Sequence, residues 1–309
     1  MKFLQKTLTK SDIKGIVVSM VTPFKGKDAS LIDHQALEKL TKRLVESGVH
    51  GLLSLGTTGE FALMDKEERH DVIKTVVKAA DGKIPVIAGV SLPGTRDVIE
   101  LAEDAHKAGA NFITATGPYG YTTSSEGLLK HFQMLIDEST LPLMIYDIPE
   151  RTGYTIPPKI VKRLVEANPK RVVAAKVTTN NFEELLEYVR MLKNDISIMT
   201  GSDHLALLAL EMGTAGAVMG SANIFPKLIT EMYNDFVSGN IIGAKEIQEK
   251  IDPFLQAMHL GTYPAGIKAA LRLIGYDTGP VRPPLVDLTA QDLSKIRNSI
   301  SWKVKKNLA

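Results

Sequence analysis

Eight short apolar runs, each apolar at odd and even positions alike, recur along the chain up to about residue 225. They occupy 16–20, 52–55, 86–88, 112–115, 143–146, 172–175, 196–199 and 217–219. A strand with no polar face is buried on both sides, which calls for a parallel sheet covered by helices. The intervening stretches are amphipathic. Leu37, Leu40, Leu44 and Val45 share one helical face after Asp33. Val72, Ile73, Val76 and Val77 share the next, and Val98, Leu101, Ala102 and Ala105 a third, closed by Gly109. Leu185, Leu186, Val189 and Leu192 follow Asn180-Asn181. Capping residues precede most of these stripes, as helix starts require. The repeat of roughly 29 residues is one βα unit.

Eight such units predict a (β/α)₈ TIM barrel. A doubly wound sheet fits the same alternation, but it calls for a Gly-rich dinucleotide turn after the first strand, and none follows it. Beyond residue 225 the strand signal stops, and 225–237, 241–260, 265–274 and 288–301 read as helices, with a turn at 280–284. The expected organisation is therefore a catalytic barrel over 1–224 and a C-terminal helical appendage over 225–309.

Composition excludes several classes of function. The chain has 0 Cys, so disulfides, thiolate metal sites and thiol nucleophiles are absent together. Lys+Arg is 37 against 35 for Asp+Glu, which leaves no basic footprint for a nucleic acid. No apolar stretch reaches membrane-spanning length, and the N-terminus carries no secretory signal, so a cytoplasmic protein without a membrane partner is expected. The basic tail Lys303-Val304-Lys305-Lys306 reads as the solvated end of the last helix. None of the 7 His lies in an H-E-x-x-H pattern, so no metal site is expected. There is neither a phosphate-binding P-loop nor a serine nucleophile elbow.

In a barrel of this type the chemistry sits where the strands end. The second run leads into Gly56-Thr57-Thr58-Gly59-Glu60, a tight turn whose hydroxyls and N–H groups could hold an anion; it also reads as a polar turn capped by its threonines. The fifth run ends on Tyr146, with Arg151 in the loop beyond. Tyr146 alone also fits a core phenol with its hydroxyl satisfied, and Arg151 a surface ion pair. The sixth run contains Lys176, the one lysine inside any of these strands. Burying an ammonium is costly, which favours the free amine that a Schiff base needs; a lysine snorkelling from the strand end is the plainer alternative.

Taken together, these motifs resemble the dihydrodipicolinate synthase / N-acetylneuraminate lyase superfamily of pyruvate-dependent class I aldolases. The resemblance runs from Val21-Thr22-Pro23-Phe24 through the 56–60 turn, Ile145-Tyr146-Asp147-Ile148-Pro149, the Lys176 strand and Gly201-Ser202-Asp203. It continues through 216–223 to Gly279-Pro280-Val281-Arg282-Pro283-Pro284. It implies that Lys176 forms an imine with pyruvate, that Tyr146 shuttles protons and that Thr57 orients Tyr146. Thr58 and Gly59 would hold the pyruvate carboxylate, Val218 would line the pocket, and Arg151 would grip a carboxylate on the aldehyde partner. No metal or organic cofactor is implied, and a homotetramer is.

Two members of the superfamily compete. Arg151-Thr152-Gly153 favours a dihydrodipicolinate synthase-like enzyme that condenses pyruvate with an aldehyde such as aspartate semialdehyde. The synthase carries a Tyr-Tyr pair where this chain has Tyr119-Gly120-Tyr121, so the second, relay tyrosine is replaced by Gly120; Tyr119 or Tyr121 could supply the hydroxyl instead. Gly201-Ser202-Asp203 looks more like the 2-keto-3-deoxy sugar-acid aldolases, the alternative reading. A non-catalytic keto-acid-binding relative is a third.

Overall fold

The structure, a computed structural model, describes residues 9–302; the basic tail at 303–306 lies outside the described residues. The eight runs become eight parallel strands. They are β1 (Gly15–Ser19), β2 (Gly51–Ser54), β3 (Val86–Gly89), β4 (Phe112–Thr116), β5 (Leu143–Asp147), β6 (Val172–Val177), β7 (Ser197–Thr200) and β8 (Gly216–Met219). They close into a barrel in chain order, with Ile16 of β1 paired to Ala217 of β8.

Packing separates the two parities that hydrophobicity alone left mixed. Val17, Leu53, Ile87, Met144, Ala174 and Val218 belong to one cluster, which fills the barrel. Their strand neighbours Ile16, Val18, Leu52, Ala88, Ile145 and Ala175 belong to another, between the strands and the helices. Side chains alternate across a strand, so the inward series continues from Val17 to Ser19, from Met144 to Tyr146 and from Ala174 to Lys176. Three polar side chains are thereby aimed into the barrel at its C-terminal end.

The helices start where their caps say they should. The Asp33 carboxylate accepts the N–H groups of Gln35 and Ala36, each at 3.1 Å, and opens His34–Glu46. Asp65 and Glu68 form a reciprocal capping box at Lys66–Ala80. Gly109, at φ +89°, turns the chain after Thr95–Lys107. A short antiparallel ladder, Phe24–Lys25 with Leu31–Ile32, has no counterpart in the sequence reading, because two-residue strands carry no periodic signal.

The helix Pro226–Ser238, just past the expected boundary at residue 224, follows β8 after the short turn Ser221–Asn223 and packs against β1. The helices Ile241–Ala257, Ala265–Leu273 and Ala290–Ser299 follow it. Ile247, Ile251, Phe254 and Leu255 bury one face of the first of these, and the Phe254 ring meets Phe225 edge-on at 5.3 Å. Burying a Phe of this kind is worth about 1.5–3 kcal/mol. The segment between the first two of these helices returns to the barrel mouth.

Candidate active site

Lys176 and Tyr146 are direct partners in the β5–β6 register. Both are 3% exposed, and the Lys176 Nζ lies 3.9 Å from the centroid of the Tyr146 ring. They stand on one wall of a cavity of about 300 Å³ whose lining includes Ser19, Thr57, Thr58, Arg151, Val218 and Tyr263. Burial would raise the Tyr146 phenol, but the positive charge of Lys176 and the facing Thr178, Lys176 and Thr57 side chains outweigh it and hold the phenol below its ordinary value. The Thr178 hydroxyl is buried without a hydrogen bond of full geometry, so its share is electrostatic. A buried amine beside a phenol that gives up its proton more readily than usual is an arrangement suited to a nucleophile and a proton-transfer group.

The turn from Gly56 to Glu60 brings hydroxyls to the opposite side. The Thr58 Oγ1 lies 2.8 Å from the Ser19 Oγ and 2.8 Å from the Tyr263 hydroxyl. Gly59 does not line this cavity. Its N–H donates to the Gly56 carbonyl at 2.9 Å and its own carbonyl accepts the Thr22 hydroxyl at 2.8 Å. The turn is a single 3₁₀ turn rather than the start of a long helix.

Glu60 leaves this turn at φ +59° and is anchored by a buried ion pair. The Lys268 Nζ lies 2.6 Å from Glu60 Oε1 and donates to the Pro280 carbonyl at 2.8 Å, with both side chains 0% exposed. Glu60 Oε2 accepts the Arg282 N–H at 2.8 Å. Burial pushes the Lys268 ammonium down to about 8, opposed by Glu60, and it pushes the Glu60 carboxyl up, opposed by Lys268 and Arg282. The C-terminal helical region therefore fixes the catalytic turn from behind.

Arg151, on the short helix Pro149–Thr152, is exposed and lines both this cavity and an adjoining one of about 240 Å³. The second cavity is walled by Phe61, Leu63 and Tyr119 and shares Thr57, Arg151 and Tyr263 with the first. Tyr119 is thus within the site region, whereas Tyr121 is 82% exposed and lines neither cavity, so this chain does not bring Tyr121 to its own site.

Several lining residues escaped the sequence reading. Ser19 and Thr178 continue the inward parity of Val17 and Lys176, a signal that was available. Asp203 accepts the N–H groups of Gly220 at 3.2 Å and Ser221 at 2.8 Å and so ties the end of β7 to the end of β8. His204, His259 and Tyr263 have no local signature at all.

Gly201 shows how tightly the site is built. A Cβ there would lie 1.8 Å from the Thr178 Oγ1 and 2.8 Å from the Lys176 Cε. Gly201→Ala should therefore displace the lysine tip and lower kcat/KM by about 10²-fold, the scale of an ångström-sized misplacement. Activity assays alongside circular-dichroism melts check this; full activity in the variant would show that Lys176 has room to spare.

The dihydrodipicolinate synthetase family model matches residues 12–303. The 4-hydroxy-tetrahydrodipicolinate synthase of Thermodesulfovibrio yellowstonii is 36% identical over 284 residues, covering 92% of this chain and 96% of the relative. A monomeric dihydrodipicolinate synthase variant superposes with a TM-score of 0.90 at 30% identity, covering 94% of this chain and 97% of the other. A prophage protein of the dihydrodipicolinic acid synthase family from E. coli K12, solved in complex with pyruvate, gives a TM-score of 0.89 at 27% identity, covering 95% of this chain and 99% of the other.

Proposed function

The chain belongs to the dihydrodipicolinate synthetase family, and from that premise we propose that it is a Schiff-base-forming lyase, a 4-hydroxy-tetrahydrodipicolinate synthase-like enzyme that condenses pyruvate with an aldehyde such as aspartate semialdehyde. The observation that carries the reading is the Lys176 amine 3.9 Å from the Tyr146 ring in the cavity at the C-terminal end of the barrel. The pyruvate held by the E. coli relative supports the choice of keto acid.

The steps follow from the side chains. The Lys176 ammonium first passes a proton to the Tyr146 phenolate, and the amine so freed adds to the keto carbon of pyruvate. Tyr146 delivers a proton to the departing hydroxyl, and water leaves as the protonated imine forms. The Tyr146 phenolate then removes a methyl proton, and the electron pair passes through the imine to give an enamine. The enamine carbon attacks the aldehyde, whose oxygen takes the proton back from Tyr146. Thr57 orients the phenol, Thr58 binds the pyruvate carboxylate, Val218 shapes the pocket, and Arg151 binds a carboxylate on the aldehyde partner. The imine itself accepts the electrons, so the reaction calls for no metal or organic cofactor. A cytoplasmic location fits a chain in which no helix among the described residues is long and apolar enough to cross a membrane.

The second reading, cleavage of a 2-keto-3-deoxy sugar acid, is favoured by the polar far wall of the cavity, where Asn180, Ser202, His204 and His259 could meet substrate hydroxyls. Assays with pyruvate plus aspartate semialdehyde, and with 2-keto-3-deoxygluconate, separate the two. The semialdehyde should be the better substrate, and Tyr119→Phe should lower its turnover by roughly 10²-fold, as expected when one acid–base participant is lost. A faster sugar-acid reaction that ignores Tyr119→Phe would select the aldolase reading. Pyruvate binding without any turnover would select a non-catalytic role.

The assembly is proposed to be a homotetramer. Light scattering at micromolar concentration should give a tetramer mass; a monomer would contradict it.

A further inference from the structure

The catalytic cavity is lined by a second, half-buried phenol that the mechanism above does not use. Tyr263 sits in the segment between the helices Ile241–Ala257 and Ala265–Leu273, and its hydroxyl lies 2.8 Å from Thr58 Oγ1. Thr58 in turn lies 2.8 Å from the Ser19 Oγ, so three hydroxyls form one chain across the cavity. Each hydroxyl has a single proton, and the direction of the chain decides what the cavity sees. If Tyr263 and Ser19 both donate to Thr58, filling its two lone pairs, the Thr58 proton is free to point at an anion. If Thr58 donates to Tyr263, its lone pairs face that anion and repel it.

Burial pushes the Tyr263 phenol well above its ordinary value, with the Asp203 charge acting in the same direction, so it keeps its proton and has one to donate to Thr58. Its ring is fixed by stacking on His259, with centroids 5.4 Å apart and planes 18° from parallel. Gly220 leaves room for the hydroxyl, since a Cβ there would lie 2.8 Å from it. Five residues further on, Lys268 holds Glu60, so one segment grips the 56–60 turn at two points.

We propose that Tyr263 is a positioning residue for keto-acid binding: its phenol donates to Thr58 Oγ1 and so aims the Thr58 hydroxyl proton at the carboxylate of the bound keto acid. This rests on the Schiff-base reading of the same cavity.

The test is borohydride trapping of the full-length protein at graded pyruvate concentrations, read by intact mass. Tyr263→Phe keeps the ring on His259 and removes only the hydroxyl. The half-saturating pyruvate concentration should rise about 3- to 10-fold, the effect of one lost hydrogen bond, while the trapped plateau and the kcat at saturating substrates stay within about twofold of wild type. In a Thr58→Val background the same change should give no further rise, because the hydroxyl it aims is gone. An unchanged half-saturation point would overturn the inference. So would a fall in kcat alone, which would assign the phenol to proton transfer, and so would an equal rise in both backgrounds. If wild type itself traps no pyruvate, the Schiff-base reading fails and this inference falls with it.

Discussion

Lys176→Ala should reduce condensation of pyruvate with an aldehyde by at least about 10⁴-fold, the scale on which removing a covalent nucleophile acts. No other amine is placed to take over: among the described residues Lys176 is the one lysine lining the cavity, and the nearest buried lysine, Lys268, is engaged by Glu60 and Pro280. The loss should fall on kcat. Thr58, Ser19 and Arg151 remain to bind the substrates, and binding alone cannot replace the covalent step. A second effect follows from charge. Without the Lys176 ammonium, burial acts on the Tyr146 phenol with less opposition, so the phenol should titrate at higher pH than in wild type. Removing a buried ammonium also removes a desolvation cost, so the fold should survive, and thermal melts should show it. A variant with more than a tenth of wild-type kcat would place the nucleophile elsewhere.

Lys268→Met should be the most destabilising single change outside the strands. The buried pair with Glu60 has no solvent to share the charge, and breaking such a pair by removing one partner costs about 3–5 kcal/mol. Glu60 would keep the Arg282 N–H but lose the Nζ at 2.6 Å. The methionine also leaves the Pro280 carbonyl without its donor. Urea unfolding should show the loss directly. Glu60→Gln in the same protein should then cost less than it does alone, because the two changes act on one interaction. Activity should fall with stability, since the Gly56–Glu60 turn carries Thr57 and Thr58. An unchanged unfolding midpoint would mean that this pair is not what anchors the turn.

The barrel was legible in the sequence because its signal is local. Runs such as 143–146 and 172–175 are apolar on both parities, and that alone demands two buried faces. Lys176 stood out for the same reason, as a charge inside such a run. Once Met144 and Ala174 are known to point inward, Tyr146 and Lys176 follow by a period of two.

What stayed hidden has no local signature. Tyr263 meets Thr58 across 205 positions of chain, from a segment that hydrophobicity marks only as a gap between helices. The Lys268–Glu60 pair spans 208 positions in the same way. The helix that follows residue 224 is a related case: in the sequence it looks like any other amphipathic helix, and only its packing on β1 sets it against the barrel. A glycine-rich turn suggests free N–H groups, while here the Gly59 N–H closes the turn itself.

The Schiff base is the central claim, and one measurement reaches it most directly. The protein is incubated with pyruvate, reduced with borohydride, digested and sequenced by mass spectrometry. One pyruvate-derived addition on the peptide carrying Lys176, absent when pyruvate is omitted and absent in Lys176→Ala, is the expected result. An unmodified Lys176 peptide, or equal labelling of the Lys176→Ala protein, would contradict it.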